Sequence, residues 1–161
     1  MYTAPNEYQF NKAREALTIW TIRRAHRLAK DIGFSYEPVA NGHPETYEAV
    51  LLEYGQCMRQ RRGFRVWNGA SDSTVYTNPE GNYAFRFIHD IFHAVFKLDW
   101  SYASEMAVAQ RHIAEVSNAF GASSIEAQLI AADTLWQVKH YANTGKFVEN
   151  QLEFARERIC A

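Results

Sequence analysis

His89 and His93 stand four residues apart, with Asp90 beside the first and Glu105 twelve residues beyond the second. An α-helix turns once every ~3.6 residues, so side chains at i and i+4 point the same way. Two imidazoles placed like this can close on one metal ion, and Glu105 can supply a third ligand from the following segment. Asp90 can serve as a fourth ligand, as an acceptor behind a ligand, or as a base. Arg86, three residues before His89, extends the same stripe and can balance charge on an anionic substrate.

Two later segments carry polar stripes of their own. Glu105 and His112 are seven apart and share a helical face, with Val108 and Ala109 between them small enough for close helix approach. Asp133, Gln137 and His140 recur at i, i+4 and i+7 in a stretch otherwise rich in Ala, Leu and Ile. Burying such groups is costly unless they are paired or bind something. If the stripes converge, they wall a metal or anion pocket inside a bundle; if not, they are wet faces. Asp133 is a second candidate for the general base. Two basic runs, Arg23-Arg24-His26-Arg27-Lys30 and Arg59-Arg61-Arg62-Arg65, read as solvated faces or as a phosphate-steering patch. No Walker A loop, dinucleotide GxGxxG or GxSxG elbow is present.

The elements that must position these residues are mostly helices. Apolar residues recur at helical spacing from about Asn6 to Asp31, with Gly33 as a stop. A second helix is expected from Pro44 to Arg61, opened by Pro44 and ended by Gly63. Phe64–Trp67 and Thr74–Thr77 read as two short strands, and Tyr36–Pro44 reads as loop. A turn at Asn78–Asn82 then launches the histidine helix, Tyr83–Lys97. Helices near Ser101–Phe120, Ser123–Asn143 and Gly145–Ile159 follow. The expected fold is all-α: a bundle of about five to six helices, with a small β-hairpin inserted near residues 64–77, in a single helical domain over residues 1–161.

Composition bounds the function. The chain has 161 residues, 47% hydrophobic and 14% aromatic, which suits a globular domain with a sizeable core. Its 17 basic and 18 acidic residues give a net charge of −1, so no nucleic-acid partner is indicated. No apolar run is long enough to span a membrane, and no secretory signal is read at the start. Cys57 and Cys160, without a CxxC pattern, suit a reducing cytoplasm.

The string His89-Asp90-x-x-His93-x11-Glu105 resembles the HDxxHx11E motif of a coenzyme Q (ubiquinone) biosynthesis family of helical, metal-binding proteins. That resemblance implies a metal site made of His89, Asp90, His93 and Glu105, with Arg86 similar upstream. A second resemblance is to HD-domain phosphohydrolases. It implies His26 or His43 as first ligand, His89-Asp90 as the doublet and Asp133 as the last ligand. The segment Asn82–Asp90, with Glu105, Gln137 and Gln151, is also similar to uncharacterised proteins of phages and mobile elements.

The expectation is a cytoplasmic, metal-dependent hydrolase or lyase acting on a small anionic substrate such as a phosphorylated molecule or nucleotide. Its cofactor would be a divalent ion, zinc by default, with manganese or iron as alternatives. An HD-type nucleotide phosphohydrolase is one alternative. A non-catalytic metal- or partner-binding protein, of the kind a phage uses as an inhibitor, is another. A homodimer stays open.

Overall fold

The computed structural model describes residues 4–161. In chain order the elements are α1 (Glu7–Ile32), β1 (Tyr36–Val39), α2 (Tyr47–Gln60), β2 (Phe64–Trp67), α3 (Pro79–Phe96) and α4 (Tyr102–Phe120). Then come α5 (Ile125–Ala131), a π-helical turn (Ala132–Trp136), α6 (Gln137–Thr144) and α7 (Gln151–Ile159). The fold is mostly helical with one small two-stranded sheet, as expected. No helix among the described residues is long and apolar enough to cross a membrane. Contacts gather the chain into two compact units interleaved in sequence. One holds the chain up to Leu17, Ser73–Thr77 and everything from Tyr102 onward; the other holds Thr18–Asp72 and Asn78–Ser101.

In the second unit, β1 and β2 pair in parallel, with Tyr36 opposite Phe64 and Val39 opposite Trp67. Parallel strands need a crossover, and α2 supplies it. The expected hairpin of residues 64–77 is therefore corrected in one half: Phe64–Trp67 is a strand, but its partner is Tyr36–Val39. Pro38 made that stretch read as loop. It is tolerated because β1 lies at a sheet edge, where a missing N–H leaves no ladder bond broken.

The rings of Phe34, Tyr36 and Phe64 surround Phe87 of α3 at centroid distances of 6.3, 5.3 and 6.1 Å. Phe64 and Phe87 are fully buried. Aromatic burial of this kind dominates core energetics and fixes α3 against the sheet. Polar contacts reinforce it. Asn82 Nδ2 donates to Ser71 Oγ (2.9 Å), and the Tyr83 hydroxyl donates to the Asn68 carbonyl (3.3 Å). The Tyr36 hydroxyl donates to Glu80 in the first turn of α3.

The other half of the expected hairpin, Thr74–Thr77, lies in the first unit and forms no strand. Thr74, Val75 and Tyr76 are buried, which gives the segment its strand-like composition. Its carbonyls, however, are taken by a side chain rather than a ladder. The Arg14 guanidinium of α1 donates to the carbonyls of Thr74, Val75 and Tyr76 at 3.3, 3.1 and 3.0 Å. The Leu152 N–H of α7 takes the Ser73 carbonyl at 3.0 Å.

Helix ends follow local chemistry. α2 starts at Tyr47, not Pro44, because Thr46 Oγ1 accepts the Ala49 N–H and sets the cap there. It ends one turn before Gly63, because Arg61 takes the left-handed conformation itself (φ 52°). α3 begins earlier than expected. Asn78 caps it by accepting the Gly81 N–H, and Pro79 occupies its first turn, so the supposed turn residues are helical. The expected 123–143 helix is continuous but carries the π-helical turn. There the Ala132 N–H is shared by the Gln128 and Leu129 carbonyls, and Thr134 Oγ1 bonds the Ile130 carbonyl at 2.7 Å.

Glu53 joins α2 to β2. Its carboxylate is 3% exposed and is gripped by two guanidiniums: Arg62 at 2.6 and 2.9 Å, and Arg65 at 2.9 and 2.7 Å. The Arg65 backbone N–H adds a further bond at 3.2 Å. Two members of the second basic run are thus structural. Burial alone would raise the Glu53 pKa, but the donors from Arg62 and Arg65 outweigh it and hold the carboxyl down at about 2. Because the folded value lies below the unfolded one, the stabilisation is complete above about pH 4.5 and is lost as pH falls through about 2. Glu53→Gln should cost about 2 kcal/mol at pH 7, below the usual cost of breaking a fully buried pair because both guanidiniums are partly exposed. The gap between variant and parent urea midpoints should close as pH falls from 4.5 toward 2. An equal gap at pH 7 and pH 2.5 would rule this account out.

Candidate metal centre

α3 buries Ala84, Phe87, Ile88, Ile91, Phe92, His93 and Ala94. His93 belongs to that face and is 0% exposed, whereas His89, one turn earlier, is half-buried. Their Nε2 atoms are 3.2 Å apart and their ring centroids 4.7 Å. The His93 ring also meets Trp100 edge-on at 6.5 Å, and His89 is flanked by Phe85 at 5.5 Å.

The orientation of His93 is set by the end of its own helix. Lys97 adopts the left-handed conformation (φ 53°), and the Leu98 N–H turns back to the His93 carbonyl at 3.1 Å. This is a helix-end reversal in which otherwise unpaired carbonyls are satisfied. It swings the Leu98 carbonyl to 2.7 Å from His93 Nδ1. A carbonyl only accepts, so His93 carries a proton on Nδ1, and its Nε2 lies toward His89. A ligand histidine commonly donates its second N–H to a backbone carbonyl in this way. Nothing in the sequence signals the Leu98 carbonyl, because a main-chain acceptor has no residue type.

The donor set could hold a metal ion. Two nitrogens bound to tetrahedral zinc at ~2.0–2.1 Å lie about 3.3 Å apart. Two cis nitrogens at about 2.2 Å from an octahedral ion lie about 3.1 Å apart. The observed 3.2 Å falls between these values. His89, His93 and Glu105 each offer one ligand atom, and these atoms lie within 4.8 Å of one another, so the group could hold a metal ion. Among the described residues no other such group of three is found, and Asp90, His112, Asp133 and His140 are not members of this one.

The remaining expected residues have identifiable surroundings. Arg86 Nη1 donates to the carbonyls of Trp67 and Gly69, the latter at 2.7 Å, and its guanidinium lies 5.1 Å from the Trp67 ring centre. Arg86 therefore pins the loop after β2 to α3. Asp90 is half-buried on the same helix. On α4, Val108, Ala109, His112 and Val116 are buried and Glu105 is half-buried, so the expected shared face exists.

The third stripe is broken by the π-helical turn. Asp133 accepts the Tyr76 hydroxyl at 3.2 Å and the Gln137 amide at 3.4 Å. His140 instead packs edge-on against Phe154 of α7 at 5.5 Å. Sequence reading singled out neither Tyr76 nor Glu53. Comparison with known proteins yields no match to this chain, whether among family models, curated proteins or solved structures.

Two lone pairs cannot face each other at the His89–His93 separation. Without a cation between them, His89 must donate from its own Nε2. In metal-free protein, long-range 15N–1H spectra should show His93 as the Nδ1–H tautomer and His89 as the Nε2–H tautomer. Zinc should convert His89 to the Nδ1–H form and leave His93 unchanged. A His93 proton on Nε2 would contradict the assigned geometry.

Proposed function

We propose that this chain is a metal-dependent enzyme in which His89 and His93, with Glu105 as third ligand, hold a divalent ion. The observation that carries this reading is the His93 imidazole, fully buried, tied through Nδ1 to the Leu98 carbonyl and presenting Nε2 to His89. Burying an imidazole in a fixed tautomer costs solvation and rotamer freedom. A preformed ligand uses that fixed geometry, and a simple core residue does not need it. Such an ion supplies Lewis acidity, polarising a substrate oxygen and acidifying water toward neutral pH. Zinc is the default for a mixed imidazole–carboxylate set, with manganese or iron as alternatives.

The chain's own residues then divide the work. His93 is the fixed ligand and His89 the adjustable one, since its ring must change tautomer to bind. Glu105 supplies the anionic ligand. Asp90 or Asp133 serves as general base, and the substrate is small and anionic, with hydrolysis or elimination as the reaction class. The ligand group supports the coenzyme Q family motif over the phosphohydrolase template, since it contains Glu105 and neither His26, His43 nor Asp133. A second reading, an ion that is purely structural, is favoured by the complete burial of His93.

Metal analysis of the purified protein, followed by calorimetric titration with zinc, manganese and ferrous ions, tests the proposal. His93→Ala should abolish binding while circular dichroism keeps the parent's helicity. Glu105→Gln should weaken binding by roughly 10- to 100-fold. No bound metal and no thermal shift with any of the ions would end the metal reading. Loss of the fold on chelation would replace the enzyme with the structural site.

A further inference from the structure

Net charge conceals an uneven surface. On α1, Arg23, His26, Arg27 and Lys30 recur at i, i+3, i+4 and i+7, so they share one face, and all four are exposed. None of the four makes a side-chain ion pair or hydrogen bond among the described residues. Some other surface cations find acids, as Lys12 does with Glu15, Arg111 with Glu115, and Arg156 with Glu7 and Glu153, whereas the exposed Lys97, Lys139 and Lys146 stand singly and not in a row. Arg59 and Arg61, at the end of α2, are likewise exposed and unpaired among the described residues. The segment after α1 meets β2 and the middle of α2, where the Phe64 N–H bonds the Ser35 carbonyl at 2.8 Å and Phe34 meets Tyr54 edge-on at 5.7 Å.

We propose that this face of α1 is a docking surface for the phosphodiester backbone of a nucleic acid strand. Like charges three and four residues apart destabilise a helix, so the row works against α1 itself. The helix dipole compensates Lys30, in the last turn, but fades within one turn and does not reach Arg23. Arg23 to Lys30 spans about 10 Å of helix axis, which matches about three successive phosphates of one strand.

A depression of about 450 Å³ opens at the foot of the row, lined by His26, Ala29, Lys30, Gly33, Phe34 and Ser35. This shallow, open surface lies where a sugar or base would rest beside the phosphates. A membrane surface fits less well. Insertion needs an apolar stripe, and Ile19, 52% exposed, is the exposed large apolar residue on this helix near the cations.

Fluorescence anisotropy of a labelled oligothymidylate and of a labelled duplex, titrated across a range of sodium chloride, tests this surface. Single-strand affinity should fall with salt at a log–log slope of about −2, roughly 0.7 per phosphate over three phosphates. Arg23→Glu/Arg27→Glu should weaken binding at least about 10-fold and flatten that slope. Arg23→Ala/Arg27→Ala should do so by a smaller factor and provides the check if charge reversal lowers the melting temperature. Lys139→Glu/Lys146→Glu makes the same change in net charge elsewhere and should leave binding within about twofold. No anisotropy change at low salt would overturn the proposal. So would equal weakening by the Lys139/Lys146 control, or capture by phosphatidylserine vesicles without capture of either oligonucleotide. Metal content plays no part in the readout, so this surface and the metal reading stand or fall separately.

Discussion

A carboxylate that is 3% exposed has to be compensated, and Glu53 is compensated by two guanidiniums and a backbone N–H. Removing either arginine would leave a buried charge short of partners, which is why such arrangements hold their geometry so firmly. The consequence runs along the chain. Arg65 lies in β2, so the Glu53 grip fixes the strand to α2, and the strand ends at Trp67. The Trp67 carbonyl receives Arg86, one turn before His89 on α3. A run of polar contacts thus links the crossover helix, through β2, to the histidine helix.

Burial on α3 converts that placement into chemistry. Phe87, enclosed by three rings, sets which side of the helix faces inward, and His93 lies six residues on, within the buried face. His89 is turned about 40° from His93 around the axis, enough to leave it half-buried while its Nε2 still reaches its neighbour. One imidazole is therefore fully buried and the other half-buried.

Much of this was legible in the residues. Helical periodicity located α1, α3 and α4 within a few positions, and the i, i+4 histidines with Glu105 are the group whose ligand atoms come together, while Asp90, expected with them, is not part of it. Pairing was less legible. Thr74–Thr77 has strand composition because it is buried, yet Arg14, some sixty residues earlier, answers its carbonyls, and no local pattern announces that. Pro38 concealed β1 because a proline is compatible with a strand only where its missing N–H is not needed. The π-helical turn was hidden for a related reason. Its bonds differ by one residue from those of an α-helix, a difference that spacing rules cannot resolve, so His140 was assigned to a stripe it does not join.

The reversal at Lys97 shows how closely helix termination and the candidate centre are coupled. A left-handed conformation costs a non-glycine residue about 1 kcal/mol. Lysine recovers part of that through its favourable position at the helix C-terminus. What the reversal supplies is a carbonyl at a fixed point, and His93 is held there from both ends. Its backbone oxygen accepts from Leu98, and its ring donates to Leu98. A side chain fixed in this way has its rotamer already chosen, so if it held an ion its share of the ordering cost would fall on folding and not on capture.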